Sequence, residues 1–417
     1  MKDVYVTMYT PSLNLLVNNE TINLSNSEIV SISFIHNYDT ASYPIIRLRI
    51  YSDLTKIQQI CENPDSILVR GCLNGGIYKM NQNTENESTL VKAVKSINIS
   101  LKAYIEMKNI PSSTYDQYED GKKKESDLNV NVKSPLELYC YNEQLVHYMK
   151  KRANSIYKDT SIGTVLHDIL QQANVYNAEI DPITNPKKYN QVLIPNMNII
   201  QSISFIDYYY GLYKKGGMMY GDLDKLYIAN TDVYNGTTPI PIYVESYKNN
   251  NDSSGMTRIN NDYQFYIMAP NVSIRSESDI ERVLHGPKLA AINLMDMNDI
   301  DIVELTNLFE EIKSLSLSEN IEVPNLLHKT QNKYIGTSYV ARLDERITKV
   351  DISGTGFDIM RITPKTRFNL IFASPIRGIK IDKQYRATFV CHVLSSTDSC
   401  KFIAQTTMNL CTNKKKK

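Results

Sequence analysis

"QYRATFVCHVLSSTDSCKFIAQTTMNL" (residues 384–410) sets two apolar-rich runs on either side of the polar turn "STDS". Val390, His392 and Leu394 recur at a spacing of two, the period of a strand with one buried face. Two such runs joined by Thr, Asp and Ser predict a long antiparallel hairpin. His392 on that face reads as a hydrogen-bonded structural histidine. A turn centred on Thr397–Asp398 places Cys400 opposite Ser395 rather than Cys391, which argues against a cross-strand disulfide.

The same period governs the beginning of the chain. "SEIVSISFIH" (27–36) and "YPIIRLRIYS" (43–52) flank the polar "NYDTAS", and in the second run Ile46, Leu48 and Ile50 alternate with Ile45, Arg47 and Arg49. A short helix, "LTKIQQICEN", precedes "SILVRGCL" and "INISLKAYIEM", where Ile97, Ile99 and Leu101 share a face. Many short strands with little helix predict a barrel or sandwich over residues 1–108. Both ends of the chain carry a histidine near a strand turn ("SFIHNYD" and "FVCHVLS"), a faint internal echo.

Between these ends the period changes. Residues 109–135, with "SSTYDQYEDGKKKESDLN" at their centre, are polar and aperiodic and read as a linker or loop. Residues 136–230 read as mixed α and β. "YNEQLVHYMKKRANSIY" places Leu145, Tyr148, Met149 and Arg152 at helical spacing, and "DTSIGTVLHDILQQANV" follows Thr160 or Ser161 as N-cap with Ile162, Val165, Leu166, Ile169 and Leu170 on one face. In "IIQSISFIDYYYGLYKKGGMMYGDLDKLYIAN" (199–230) Ile199, Ile200, Ile203, Ile206 and Tyr210 predict a further helix, with Lys214 and Lys215 in its last turn. Gly216 or Gly217 ends it, and a hairpin turns at Gly221–Asp224. Residues 231–332 form a mixed segment with strand-like "PIPIYVESY" and helical patterns over 276–296 and 301–316. Strands return over 333–417 ("TSYVARLD", "TRFNLIF", "RGIKIDK" and the hairpin), and a basic "KKKK" tail reads as solvated.

Composition excludes more than it selects. The 417 residues hold 46 basic and 45 acidic side chains, a balance that calls for no specific nucleic-acid or membrane partner. No run approaches the length of a membrane-spanning helix, and "MKDVYVTMYTPSLNLL" lacks the apolar core of a signal peptide. Six scattered cysteines without CxxC spacing read as reduced, mostly buried small hydrophobes. His147 and His167 fall on separate helices without zinc spacing. "SGTGFD" (353–358) is followed by the strand-like "FDIMRIT" rather than a helix, so a dinucleotide loop is disfavoured. "GDLD" lacks the further oxygens of a calcium loop. Nothing singles out a carboxylate pair, a nucleophile elbow or a Cys/His dyad. No catalytic residue, cofactor or metal site is therefore expected. In "DYYYGLY", Tyr208, Tyr209 and Tyr210 cannot all face one way on a helix, so some point outward to solvent or a partner.

Taken in order, three segments resemble the central baseplate hub protein of contractile-tailed bacteriophages, a family shared in outline with phage late-control proteins and type VI secretion spike proteins. They are "TSIGTVLHDILQQANV", the helix–glycine–hairpin of residues 199–230, and "YRATFVCHVLSSTDSCKFIAQT". In the last, Tyr385, Phe389 and His392 fill places comparable to a Y-x-V-x-x-V-x-H strand, with Ala387 and Thr388 standing where a β-branched apolar residue belongs. The resemblance implies an α+β, mainly β fold: two tail-tube-like antiparallel barrels, one at each end of the chain, with α/β insertions between. It marks Gly216, Gly217, Tyr385 and His392 as structural motif residues. It implies a non-enzymatic homotrimer in the tail baseplate of a virion, assembled in the host cytoplasm. There it joins a hexameric tail tube or tube initiator to a trimeric central spike, among other baseplate proteins. Two other classes stay open at this point: another tail or baseplate ring or receptor-binding component, and a tail-associated cell-wall hydrolase.

Overall fold

The computed structural model describes residues 3–38, 43–80, 88–105, 133–175, 177–213, 217–223, 225–230, 238–245, 255–259, 262–268, 272–276, 348–372, 384–397 and 400–412. The helical patterns at 276–296 and 301–316 (except Ser276, which ends a strand), the strand-like runs at 337–344 and 377–383, the segment 112–129, Gly216 and the terminal lysines lie outside them. The chain begins with β1 (Tyr5–Val17), β2 (Glu20–Asn23), β3 (Ile29–Asn37), β4 (Ile45–Asp53), α1 (Leu54–Cys61), β5 (Ile67–Met80), β6 (Ser88–Ala93), β7 (Ile97–Ile105) and β8 (Lys133–Asn142). The middle holds α2 (Glu143–Lys150), β9 (Arg152–Ser161), α3 (Ile162–Gln172), β10 (Ala178–Ile180), β11 (Lys188–Asn198), α4 (Ile199–Tyr209), β12 (Gly217–Gly221) and β13 (Leu226–Asn230). The remaining strands are β14 (Ile240–Glu245), β15 (Gly255–Ile259), β16 (Asp262–Met268), β17 (Val272–Ser276), β18 (Thr348–Thr355), β19 (Arg367–Phe372), β20 (Gln384–Ser396) and β21 (Phe402–Thr412).

The architecture is mainly β, with four α-helices among the described residues. Eleven strands pair in a closed circuit, β1–β15–β16–β14–β19–β20–β3–β4–β8–β7–β5, sealed by thirteen residue pairs of β5 with β1 from Tyr5↔Lys79 to Val17↔Ile67. The circuit is mixed, not purely antiparallel as the resemblance implied, because β14 runs parallel to both of its neighbours, β16 and β19. β15 lies between β14 and β16 in sequence and pairs antiparallel with β16, so β16 returns beside β14 in the same direction. A second, separate barrel is not seen among the described residues.

β21 spans this circuit. It pairs with β20 along ten residue pairs, and its first residues pair with β1 at Met8↔Ile403 and Tyr9↔Phe402. Two apolar cores lie on either side. One gathers Tyr9, Leu13, Leu15, Phe34, Ile46, Leu48, Ile67, Leu101 and Leu138 with Leu394, Phe402 and Ala404. The other gathers Ile242, Val244, Met256, Phe265, Val350, Ile352, Phe357 and Phe368 with Tyr385, Ala387, Val390, Met408 and Leu410. β20 and β21 thus lend one end to each core. Ala387 and Val390 reach the same core at a spacing of three because Thr388 is an extra residue opposite Asn409, a bulge that restores the register.

Several local readings are corrected here. The helix over 141–157 stops at Lys150: Lys151 is extended, and Arg152, read as helical, starts β9. "FDIMRIT" is not a strand; Asp358 caps a single 3-10 turn, Ile359–Arg361, by accepting from Met360 N. The terminal hairpin pairs Ser395 with Ile403 and Ser396 with Phe402, so its loop is longer than a turn at Thr397–Asp398. Cys400 lies within that loop, and all six cysteines are free.

Candidate functional site

A third core lies under α3 and α4, against the β9–β11 pair and the small sheet β10–β13–β12. Ser161 caps α3, its hydroxyl accepting from Thr164 N at 3.3 Å. α4 starts with a capping box, Asn198 accepting from Gln201 N at 2.8 Å and Gln201 accepting from Asn198 N at 3.2 Å. Ile199, Ile203 and Ile206 face the core, each nearly sealed from solvent.

α4 ends earlier than the sequence suggests. Tyr209 is its last residue, and Gly211 takes the left-handed conformation, φ 73°, while its N–H returns to the carbonyls of Ile206 and Asp207. Gly217, expected as the terminator, opens β12 instead. The residue that joins helix to hairpin is Asp207: its carboxylate accepts from Leu212 N at 3.1 Å and Gly217 N at 3.3 Å. A Cβ on Gly217 would meet Asp207 Oδ1 at 2.8 Å, so a side chain there would displace that carboxylate. Tyr213 is fully buried and donates to the carbonyls of Asp181 and Ile228 at 3.0 and 3.1 Å. Tyr208 and Tyr209 point outward, with Tyr209 against Phe205 at 4.4 Å.

The hairpin is two-faced. Met219, Leu226 and Ile228 belong to the helix-side core, whereas Met218, Tyr220 and Tyr227 belong to the core shared with β20 and β21. Tyr220 reaches His36 on β3, with 3.0 Å between its hydroxyl and Nδ1, and meets Tyr38 edge-on at 4.8 Å. His36 in turn lies 5.9 Å from the His392 ring, because Val390 on β20 pairs with His36 and His392 with Phe34. The two histidines of the "SFIHNYD" and "FVCHVLS" echo are therefore neighbours. His392 Nδ1 lies 2.9 Å from Thr406 Oγ1 on β21, while its Nε2 has no partner among the described residues. Tyr385 is buried in the same core, paired with Phe368.

Burial lowers the pKa of both imidazoles; nearby Asp222 counteracts it at His36, and His36 reinforces it at His392. Burial raises the Tyr38 and Tyr220 phenols well above their usual range. All four groups are neutral near pH 7. At the rim, Lys365 in the turn before β19 pairs with Asp181 at 2.5 Å and Glu179 at 3.0 Å, and Lys225 pairs with Glu179 at 2.9 Å. Burial lowers the Lys365 pKa, but the two carboxylates outweigh it and hold the ammonium charged. The assembly is a sealed polar joint, built to hold elements together. Among the described residues no group of three or more His, Cys, Asp or Glu side chains is arranged to hold a metal, and no helix is long and apolar enough to cross a membrane. Asp207, Gly211, Tyr213 and Lys365 escaped sequence reading. Only Gly211 carried a local signal, a glycine directly after the last apolar helical position.

A family model described as Bacteriophage PBS1 gene 109 protein matches residues 2–405. The chain belongs to that family. No curated protein matches the PBS1 gene 109 family chain in sequence. Among solved structures it is similar to the tail protein from Neisseria meningitidis MC58, at 10% identity over 97% of both chains with a TM-score of 0.46. It is similar to the prophage MuSo2 43 kDa tail protein from Shewanella oneidensis, at 8% identity over 96% of both chains with a TM-score of 0.41. A third likeness is to the E. coli c3393 protein, described as a component of the type VI secretion system. That match has 7% identity over 96% of this chain and 77% of the other, with a TM-score of 0.40.

Proposed function

We propose that this gene 109 family chain is a structural baseplate hub of a contractile tail, a homotrimer that joins the hexameric tube to a trimeric spike and catalyses nothing. The observation that carries the reading is β21, which pairs with both β20 and β1 and so divides the eleven-strand circuit in two. One loop of strands, β1–β5–β7–β8–β4–β3–β20–β21, surrounds the first core, and the other, β1–β15–β16–β14–β19–β20–β21, surrounds the second. In this proposal the two loops are two tube-like barrels with a common wall. Three copies then present six such units, so a threefold ring offers a sixfold outline to its tube. The resemblance of the helix–hairpin segment and of the strand from Tyr385 to His392 to the hub family agrees with this assignment.

The test is stoichiometric. Quantitative mass spectrometry of purified tails should find three copies of this chain per tail, half the count of one ring of tube subunits. Six copies, or a count that varies with tail length, would assign it to a ring or to the tube.

A further inference from the structure

The cluster that joins the hairpin to the barrel strands contains two buried imidazoles, His36 and His392. We infer that His36 and His392 form an acid-sensitive latch, whose protonation releases the β12–β13 hairpin from the barrel strands while the strand circuit stays intact. This inference stands apart from the hub assignment and rests on the packing, burial and charge of the joint.

Four elements converge at the latch: β3 with His36 and Tyr38, β20 with His392, β21 with Thr406, and the hairpin with Tyr220 and Tyr227. His36 is 5% exposed and His392 2%, so a charge on either has almost no access to water. The rings lie 5.9 Å apart, so the second proton would also be opposed by the first. The titratable groups packed around the pair are Tyr38, Tyr220, Tyr227 and Asp222; of these Asp222 acts on His36, and His36 acts on His392. The Asp222 carboxylate favours a charged His36, yet burial is the larger influence.

The sign follows. Each imidazole binds its proton less readily in the docked state than in an open one. The docked state is therefore undiminished above about pH 6.5, the ordinary imidazole value, and loses ground as pH falls below it. The hairpin is the element that can yield without breaking the circuit, because it belongs to a separate small sheet. It is held to the barrel strands by the Tyr220 hydroxyl on His36, by the Tyr38 ring and by Asn142 on β8, which donates to the carbonyls of Asp222 and Leu223, whereas β3 and β20 are tied to each other by seven residue pairs. Opening there exposes the imidazoles without breaking the circuit.

Hydrogen exchange of the full chain, read by mass spectrometry and corrected for intrinsic rates, tests this between pH 7.5 and 4.5. Peptides covering 217–230 should lose protection at least tenfold, while those of β1 and β5 keep theirs. A His36→Gln/His392→Gln variant keeps hydrogen-bonding groups without the titration and should flatten the response. In the unaltered chain, C2–H exchange of the imidazoles should show both titrating below the ordinary imidazole value of about 6.5. Hairpin protection that is constant across the range, or that falls only together with β1 and β5, overturns the latch. So does an unchanged response in the double variant, or ordinary titration of both rings.

Discussion

The Asp207 carboxylate receives the backbone N–H of Gly217 at 3.3 Å, across ten residues that turn a helix into a strand. That contact fixes Gly217 at the start of β12. Gly217→Ala should therefore push the carboxylate off both of its backbone donors and lower stability by about 1–3 kcal/mol. Gly211→Ala acts differently, by placing a side chain at positive φ, at a cost of about 1 kcal/mol. Denaturant unfolding of the two variants checks both magnitudes.

Acid sensitivity of the first core should come in part from Glu28. Its buried carboxylate accepts from Ser25 N at 2.8 Å, from the Ser25 hydroxyl at 2.9 Å, from the Ser52 hydroxyl and from Lys56 at 2.8 Å. Burial alone would raise its pKa; these donors outweigh burial and bring it to about 2. The stabilisation is complete above the unfolded value of about 4.3 and is lost as pH falls through about 2. Glu28→Gln should destabilise the protein at pH 7 by roughly 2–3 kcal/mol and reduce the loss of stability between pH 5 and 2. Thermal melts of both proteins across that range provide the check.

Lys365 ties the turn before β19 to Glu179 and Asp181 on the helix-side unit. Because the pairs are partly solvated, Lys365→Met should cost only about 1 kcal/mol. A double-mutant cycle with Asp181→Asn should return a coupling of similar size, whereas Lys365→Met combined with Arg49→Met, at a distant pair, should be additive.

Leu394 faces the first core and Met408 the second, yet both belong to the paired strands β20 and β21. Leu394→Ala and Met408→Ala should each cost about 2–5 kcal/mol and lower one common melting transition. Calorimetry that resolves two transitions, with each substitution moving a different one, would contradict a common wall.

Local periodicity made the strands legible. Ile46, Leu48 and Ile50 alternate as read and are all buried, and α3 buries the five residues assigned to its apolar face. What escaped depends on partners distant in sequence. The parallel pairing of β14 is decided by where the β15–β16 hairpin lands, which no pattern inside "PIPIYVESY" encodes. "FDIMRIT" alternates like a strand, but Asp358 caps Met360 N and accepts from the Tyr9 hydroxyl at 3.3 Å, turning the chain instead. Arg152 sits at helical spacing, yet it pairs with Asn198 across β9 and β11. In the joint, the histidines could be seen near two turns, while their meeting required the register of β3 on β20.

The account turns on three copies of a chain with two strand-enclosed cores forming a ring that mates with threefold and sixfold neighbours. A three-dimensional image reconstruction of the purified tail end, computed without imposed symmetry, tests it most directly. The predicted result is a threefold ring at the tube's base with six similar lobes, two contributed by each copy and joined through β20 and β21. A ring in which each copy contributes one lobe, or a position for this chain away from the tube axis, would contradict it.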